Sequence, residues 1–218
     1  MAPTKAPSEL TRVRRLPERG AYDRAVIDAI LDEALICHVG FAQGEQPLVI
    51  PTIHVRVGDT LFVHGSAASR MLEHGARGSR LCVTVTLVDG IVLARSAFHH
   101  SLNYRSVVLY GVPRPVTDRA EKLAVSDALV NRFAPGRAEL TRRPSELELK
   151  ATLMLALPIA ECSAKIRTGG PKDDEPDLAL PIWAGVVPVA LQTLTPITVD
   201  STMPNLVPPK LGLGLPPR

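Results

Sequence analysis

The stretch that decides the fold is residues 50–71, IPTIHVRVGDTLFVHGSAASRM. Apolar and polar residues alternate over residues 53–57, which is the two-residue period of a half-buried strand. Gly58-Asp59 then supplies a tight turn, and a second apolar run begins at Leu61. The pattern predicts a β-hairpin, and the Ser-rich segment that follows it predicts the start of a short helix.

The junction between the second strand and this helix carries groups that bind anions, namely Gly65, Ser66, Ser69 and Arg70. Such a junction directs unpaired backbone N–H groups at one point, Ser hydroxyls add donors, and the Arg fork matches a phosphate. The alternative is that the Ser residues only cap the helix. The chain contains neither the glycine pattern of a dinucleotide fold nor a nucleotide-binding P-loop. The junction therefore predicts a phosphorylated cofactor of another kind.

Composition limits the class of protein. The chain has 218 residues and 45% hydrophobic content, which is enough for a globular core. No apolar window approaches the length of a membrane span and no signal-peptide core is present, so we expect a cytoplasmic protein without membrane contact. Cys37, Cys82 and Cys162 lie far apart without metal-ligand spacing. They are interpreted as buried thiols, and no metal site is expected.

The net charge of +3 originates in the first 20 residues, which hold five basic and two acidic side chains. A basic arm of this kind can contact nucleic acid. The rest of the chain is neutral, however, and only 4% of its residues are aromatic, so no stacking platform for bases is visible. We therefore expect no nucleic-acid partner and an arm that packs on a neighbour.

Many short strands and few helices predict a mainly β (α+β) fold, an antiparallel barrel with peripheral helices. Helices are expected over residues 22–34, capped by Asp23, over residues 119–133, and after Ser145. The prolines at 47 and 51 predict an edge or irregular strand. We expect an N-terminal arm (1–20), one domain (21–194) and a Pro-rich tail (195–218). The expected strands are residues 35–41, 47–57, 60–65, 80–88, 91–96, 105–117, 152–158, 162–167 and 186–191.

Five segments together resemble a known family: FMN-binding split-barrel proteins related to pyridoxamine 5'-phosphate oxidase. Within it they are most similar to the flavin-nucleotide-binding branch that includes nitroimidazole-resistance reductases. The resemblance covers residues 11–190. Its segments are TRVRRLPERGAYD (11–23), VIPTIHVRVGDTLFVHGSAASRM (49–71), HHSLNYRSVVLYG (99–111), KIRTGGPKDDEPD (165–177) and LPIWAGVVPV (180–189).

The resemblance implies a homodimer with FMN at the subunit interface. Residues 49–54 would run along the isoalloxazine ring and contact it through main-chain groups, and residues 64–70 would hold the ribityl phosphate. Ser106 would lie against the flavin, and Arg167 and Trp183 would reach it across the interface. The resulting candidate cofactor-binding residues are Val49, Ile50, Pro51, Thr52, Ile53, His54, His64, Gly65, Ser66, Ser69, Arg70, Ser106, Arg167 and Trp183.

The function that follows is that of an FMN-dependent oxidoreductase, which passes electrons from a reduced donor to a small-molecule acceptor. Met71 stands where the oxidases have a second basic residue, so the oxidase reaction itself is not expected. His54 either contacts the flavin or faces outward while only its backbone does so, and no residue is identified as catalytic. The alternatives are a flavin-binding protein without turnover, and a split-barrel protein that binds haem or deazaflavin.

Overall fold

A computed structural model of the protein describes residues 5–199, 203 and 206–212. Ten strands form one antiparallel sheet: β1 (Gly20–Ala21), β2 (Ile36–Gln43), β3 (Gln46–Val57), β4 (Thr60–Ser66), β5 (Leu81–Leu93), β6 (Ser101–Gly111), β7 (Arg114–Pro115), β8 (Thr152–Pro158), β9 (Glu161–Arg167) and β10 (Gly185–Pro188). The helices are α1 (Arg24–Glu33), α2 (Arg70–Ala76), α3 (Arg119–Phe133), α4 (Arg137–Leu140) and α5 (Glu146–Ala151).

The strand order is β1-β9-β6-β5-β2-β3-β4-β8-β7, and β10 pairs with β5. The sheet coils around one apolar interior, while its end strands β1 and β7 do not pair with each other, so it is a split barrel. β3 has two different partners along its length. Its residues 46–53 pair with β2, whereas residues 54–57 pair with β4. The barrel therefore opens where β3 leaves β2 for β4.

Two apolar clusters stabilise the chain. The larger one fills the barrel with inward side chains such as Val39, Val85, Leu109 and Leu155. The smaller one lies outside the barrel, where α3 covers the outer faces of β3, β4 and β8. As a result β8 is buried on both faces, which explains its continuous apolar run LMLAL rather than an alternating pattern.

The predicted fold class and helices are confirmed. Asp23 caps α1 by accepting a hydrogen bond from the Ala25 N–H at 2.8 Å. Ser145 and Glu148 form a reciprocal capping box at the start of α5. α3 spans the predicted residues 119–133. The predicted free thiols are also present, with Cys37 and Cys162 buried and Cys82 half-buried.

Four predicted strands, residues 80–88, 91–96, 105–117 and 186–191, were wrong in their bounds. The break expected between residues 88 and 91 does not exist, because β5 continues through a bulge between Val88 and Gly90. Gly90 is needed there because a Cβ atom would lie 2.8 Å from Val186 Cγ1 of β10. The expected strand 105–117 is instead β6 followed by β7, and the expected last strand, residues 186–191, is β10 at Gly185–Pro188.

The described part of the N-terminal arm packs on its own chain. The Val13 N–H donates to the Tyr22 hydroxyl at 2.9 Å, and the Ser8 hydroxyl donates to Glu161 of β9. Thr11 is buried, and its hydroxyl donates to the Ser8 carbonyl at 3.1 Å. Of the predicted tail, residues 195–199, 203 and 206–212 are described and form neither helix nor strand. Residues 1–4 and the remaining tail positions lie outside the described residues.

A clamp of His54 and Arg132 joins α1, β3 and α3 at the place where β3 changes partner. The His54 ring bonds through Nε2 to the Leu31 carbonyl at 2.9 Å. Arg132 on α3 donates to the backbone carbonyls of His54 and Ala34, and to that of Leu31 at 3.3 Å. The last carbonyls of a helix have no hydrogen-bond donor inside the helix, and here the Arg132 guanidinium provides donors for carbonyls at the end of α1. The clamp thus fixes the end of α1 against β3.

The clamp makes stability depend on pH through His54. Burial and the nearby Arg132 charge lower the pKa of His54 from 6.5 to about 4, so the folded state favours the neutral ring. The stability that this provides is complete above pH 6.5 and is lost as the pH falls from 6.5 to about 4, because the unfolded chain binds the proton more readily. We expect a loss of about 3 kcal/mol across this window.

Urea unfolding at pH 7.5, 5 and 4 measures this loss. His54→Gln keeps a hydrogen-bond donor for the Leu31 carbonyl but does not titrate, so its free energy of unfolding should fall less steeply over the same window. His100→Gln is the matched control, because His100 is exposed. Equal pH dependence in wild type and His54→Gln would contradict this assignment.

Candidate functional site

The opening of the barrel forms a wedge between β3 and β4. Beyond the His54–Val63 pair, β4 continues against β8 up to Ser66, whereas β3 residues 49–53 pair only with β2. Among the described residues, the other edge of this β3 segment has no strand partner. Backbone groups that lack a strand partner are available to a ligand, and Pro51 fits because such an edge tolerates the loss of an N–H. The wedge can therefore hold a ligand through main-chain contacts.

The side chains of this β3 segment alternate between the barrel and the outside. Ile50 packs against the barrel core, while Val49 is 65% exposed and Pro51 is exposed. Ile53 packs partly on the outer cluster beneath α3, and Thr52 is half-buried. The predicted residues 49–53 are thus brought to the wedge, with an outward surface that is apolar.

The His54 ring neither faces the wedge nor points outward, so both interpretations of this residue from the sequence were wrong. Both interpretations left its ring near the flavin or facing outward, but the structure buries it completely, on Leu31 of α1. The reason is the arrival of α1 and α3 at the point where β3 changes partner. Burial keeps the ring neutral, and the His54 carbonyl is occupied by Arg132.

The predicted anion-binding junction lies at the end of β4. Ser66 Oγ accepts from the Ala68 N–H at 3.2 Å, and the Ser69 N–H donates to the Ser66 carbonyl at 2.9 Å, which closes a tight turn. The Ser69 hydroxyl makes no capping bond to α2, so simple capping does not account for it. Arg70 is exposed, and the acidic residue nearest to it on α2, Glu73, pairs with Arg77 instead. Hydroxyls and a cation therefore surround this turn.

Three neighbours define the walls of this junction. A Cβ atom at Gly65 would lie 3.2 Å from Leu72 Cδ1, so α2 approaches the strand closely here. Met71 is 2% exposed and packs in the barrel core, which means that this position points away from the junction. His64 points to the other side, toward α3 and α5, and burial lowers the pKa of its ring. Its Nδ1 is buried without a hydrogen-bond partner.

The remaining predicted residues lie away from the wedge. Ser106 is three strands from β3 and donates to the Lys165 carbonyl at 3.2 Å. Arg167 is 7% exposed and binds within its own chain, to Asn103 Oδ1 at 2.5 Å and to the Gly170 carbonyl at 3.2 Å. Trp183 is 63% exposed, and its ring covers Gly185. Within one protomer, the structure therefore unites residues 49–53 with 64–70 but not with these three.

Sequence reasoning missed His38. It is exposed at the centre of the outer face of β2, in register with Pro51 of β3 and Thr84 of β5. Its neighbours Cys37 and Val39 are fully buried. Apolar and polar residues alternate in part of ICHVGF (residues 36–41), and this pattern could have predicted that the His38 imidazole lies outside the barrel, one strand from the wedge.

A cavity of about 610 Å³ opens on the same outer face. Ile36, Thr86 and Val88 belong to its lining, and residues 189–191 of the segment after β10 close one side. Arg105 stands at its polar end, where it pairs with Glu33 at 2.5 Å and Asp89 at 2.7 Å. Among the described residues, no group of three potential metal-binding side chains is present.

Comparison with known proteins places this geometry in a family. The family model of pyridoxamine 5'-phosphate oxidase matches residues 23–166. The flavocytochrome Anf3 from Azotobacter vinelandii is 39% identical, with 95% of this chain and 96% of that chain covered and a TM-score of 0.89. An FAD and haem binding protein from Mycobacterium smegmatis is 37% identical, with coverages of 88% and 94% and a TM-score of 0.84.

A protein of Bacteroides thetaiotaomicron assigned to 5-nitroimidazole resistance is 22% identical over 67% of this chain and 86% of that chain, with a TM-score of 0.56, and shares the fold alone. A search of curated proteins finds no significant match. In the described part of the chain, no helix has the length and apolarity to cross a membrane. The family resemblance is confirmed: the chain belongs to the pyridoxamine 5'-phosphate oxidase family of split-barrel proteins.

Proposed function

We propose that the protein is a dimeric flavoprotein that passes electrons from a reduced donor to a small-molecule acceptor. The observation that carries this proposal is the wedge, where an unpaired strand edge at residues 49–53 adjoins a turn that carries the Ser66 and Ser69 hydroxyls and the exposed Arg70. A flat polar ring joined to a phosphate has the shape and chemistry to use both parts. Two similar proteins, described as a flavocytochrome and as an FAD and haem binding protein, support this choice of ligand.

The open edge of β3 would hold the isoalloxazine ring. Backbone N–H and C=O groups on this edge can pair with the polar edge of the ring, and the exposed Val49 and Pro51 give its surroundings an apolar surface. A bound flavin supplies the redox chemistry, while the protein binds and orients it. The His54 ring is buried, and burial lowers the pKa of His64, so neither imidazole is assigned as an acid or base for the ring.

The turn after β4 would hold the flavin mononucleotide phosphate, as expected for FMN. Ser66 and Ser69 offer hydroxyl groups, and Arg70 offers a planar fork of donors. α2 has only seven residues, so the contribution of its dipole is secondary to these side chains. Because Met71 points into the barrel, Arg70 is the cation on which the phosphate would depend.

A second copy of the chain would complete the site. Ile36, Val49 and Val88 are 48%, 65% and 41% exposed on the outer face of the sheet. A sheet face of this kind is stabilised when another layer covers it. The exposed ring of Trp183 is three strands or more from the wedge of its own protomer, which agrees with a contact made across a dimer interface.

The proposal is tested by the visible spectrum of the purified protein and of the protein incubated with FMN or FAD. We expect the two broad bands of an oxidised flavin, and their loss on reduction with dithionite or NADH. Analytical ultracentrifugation should give a dimer. A colourless protein that binds neither flavin would overturn the proposal.

The phosphate assignment predicts the effect of Arg70→Ala. Loss of a charge-assisted hydrogen bond should weaken the binding of FMN by more than about 1 kcal/mol, or roughly fivefold. Quenching of flavin fluorescence on titration measures the dissociation constant. Arg77→Ala is the matched control, because Arg77 is an exposed cation at the other end of α2 that pairs with Glu73. Unchanged affinity in Arg70→Ala would mean that the phosphate binds elsewhere.

Haem is the second candidate cofactor, because the two similar structures are described as a flavocytochrome and as an FAD and haem binding protein. His38 would be the residue that holds the haem iron, because its imidazole is exposed on the outer face, one strand from the wedge. A neutral imidazole is a common ligand of haem iron.

If haem binds here, the protein reconstituted with haemin should show a sharp Soret band, and His38→Ala should shift and weaken it. His100→Ala provides the control, because His100 is also exposed but its Nδ1 bonds to the Ser96 carbonyl at 2.9 Å. A Soret band identical in wild type and His38→Ala would remove His38 from this role.

A further inference from the structure

The cavity of about 610 Å³ on the outer face has the size of a small-molecule site, for which the range is roughly 300–1,000 Å³. It lies between the end of α1, the start of β2, the middle of β5 and residues 189–191, with Arg105 of β6 at one end. The Val189 N–H donates to the Asp89 carbonyl at 3.1 Å. This backbone bond holds residues 189–191 in place as one wall of the cavity.

This cavity adjoins the wedge. Ile36, which lines it, is in register with Ile53 of the β3 segment to which we assign the flavin ring. Neighbouring strands lie about 4.8 Å apart, so a molecule in the cavity is one strand away from that segment. The outer face is also the face to which we assign the second copy, and that copy would close the open side of the cavity. A molecule bound there would therefore be held next to the flavin.

Most of the lining is apolar. Ile36, Val88 and Leu191 belong to it, and all three are exposed in the single protomer. A ligand with a ring or another hydrocarbon body would remove their side chains from water, which is favourable. The walls therefore favour an apolar body.

The polar end of the cavity is rich in hydrogen-bond acceptors. Arg105 donates four hydrogen bonds, two to Glu33 at 2.5 and 2.8 Å and two to Asp89 at 2.7 and 3.0 Å. Asp89 is the extra residue of the β5 bulge, which turns its side chain toward Arg105. Each carboxylate oxygen can accept a further bond, whereas the guanidinium has a single N–H left. Since these three are the charged residues of the described lining, this end has one net negative charge and unused acceptors.

We infer that this cavity binds the small molecule that exchanges electrons with the flavin, and that it selects an apolar molecule with a cationic or hydrogen-bond-donating end. An ammonium, amine or hydroxyl group would bond to the remaining lone pairs of Glu33 and Asp89. The apolar body would lie against the β2 and β5 side chains. The inference rests on the proposed function, because it takes the wedge as the flavin site.

Two other kinds of occupant fit this cavity less well. A carboxylate or a phosphate would meet the net negative charge, and it would have to compete with Glu33 and Asp89 for Arg105. A purely apolar molecule would cover the half-exposed carboxylates without bonding to them, and the loss of their water contacts is costly. The polar end therefore discriminates by charge, which can be measured.

Three probes that share one ring system and differ in charge test this selectivity: naphthylmethylamine, naphthylmethanol and naphthoic acid. At neutral pH they are a cation, a neutral donor and an anion. In equilibrium dialysis against the FMN-loaded protein, we expect the amine to bind at least about tenfold more tightly than the acid, with the alcohol between them. Equal affinities, or tighter binding of the acid, would overturn the inference.

Two variants locate the probe. Asp89→Asn removes the net negative charge, so the ratio of amine to acid affinity should fall about threefold or more. Glu121→Gln is its control, because Glu121 pairs with Arg114 and does not line the cavity. Ala190→Trp fills the cavity and should weaken amine binding about tenfold, while FMN affinity stays within about twofold of wild type. Ala124→Trp, an exposed change on α3, controls for the added bulk.

The visible spectrum of the bound flavin gives the second readout. The amine should shift the flavin bands in wild type but not in Ala190→Trp, because the cavity adjoins the ring. Amine affinity that is equal in these two proteins, or binding that leaves the flavin bands unchanged, overturns the inference and leaves the flavin proposal intact. Displacement of the amine by haemin would assign the cavity to haem and also overturn it. Flavin uptake is measured before any probe is added, so a protein that binds no flavin rejects the proposed function itself.

Discussion

The site depends on one constraint, the change of partner along β3. A strand that leaves β2 for β4 at His54 must leave one edge of residues 49–53 unpaired, and the same step frees the end of β4 to turn toward α5. The change of partner could slip in register unless something fixed it. Arg132 and His54 provide that fixation, because they tie the end of α1 to β3 through backbone carbonyls. The same hydrogen bonds therefore stabilise the fold at this point and fix the geometry of the wedge.

The two apolar clusters have different roles around the change of strand partner at His54. The barrel core positions the strands, while the cluster beneath α3 covers the outward faces of β3, β4 and β8. α3 contributes Val125 and Leu129 to that cluster and also carries Arg132. A cavity of about 380 Å³ that His64 lines lies next to this cluster, because Leu129 and Met154 belong to both. A helix that closes the outside of the barrel therefore also shapes the space beside the proposed phosphate site.

Much of this could be predicted from the sequence, because local signals govern it. Asp23 and Ser145 are caps, and the two-residue alternation over residues 53–57 correctly places the hairpin of β3 and β4. Three features depend instead on what packs from outside. His54 is buried because α1 and α3 cover it, Met71 faces the barrel because α2 lies over β4 and β8, and β5 continues through Gly90 because β10 lies against it. Except for β4, these neighbours are far from the affected residue in sequence, so a local pattern does not predict the outcome.

Several arginines already have partners within the chain, and this affects where the proposed anion would bind. Arg56, Arg105 and Arg167 are each bound to acidic side chains or carbonyls of their own chain, so an anion placed beside them would have to compete with existing bonds. Arg70 stands exposed beside a turn whose Ser69 hydroxyl has no capping role. The proposed phosphate would form a charge-assisted hydrogen bond with Arg70 without breaking an existing ion pair. A ligand that binds only the folded chain also stabilises it, so filling the wedge reinforces the change of strand partner that creates it.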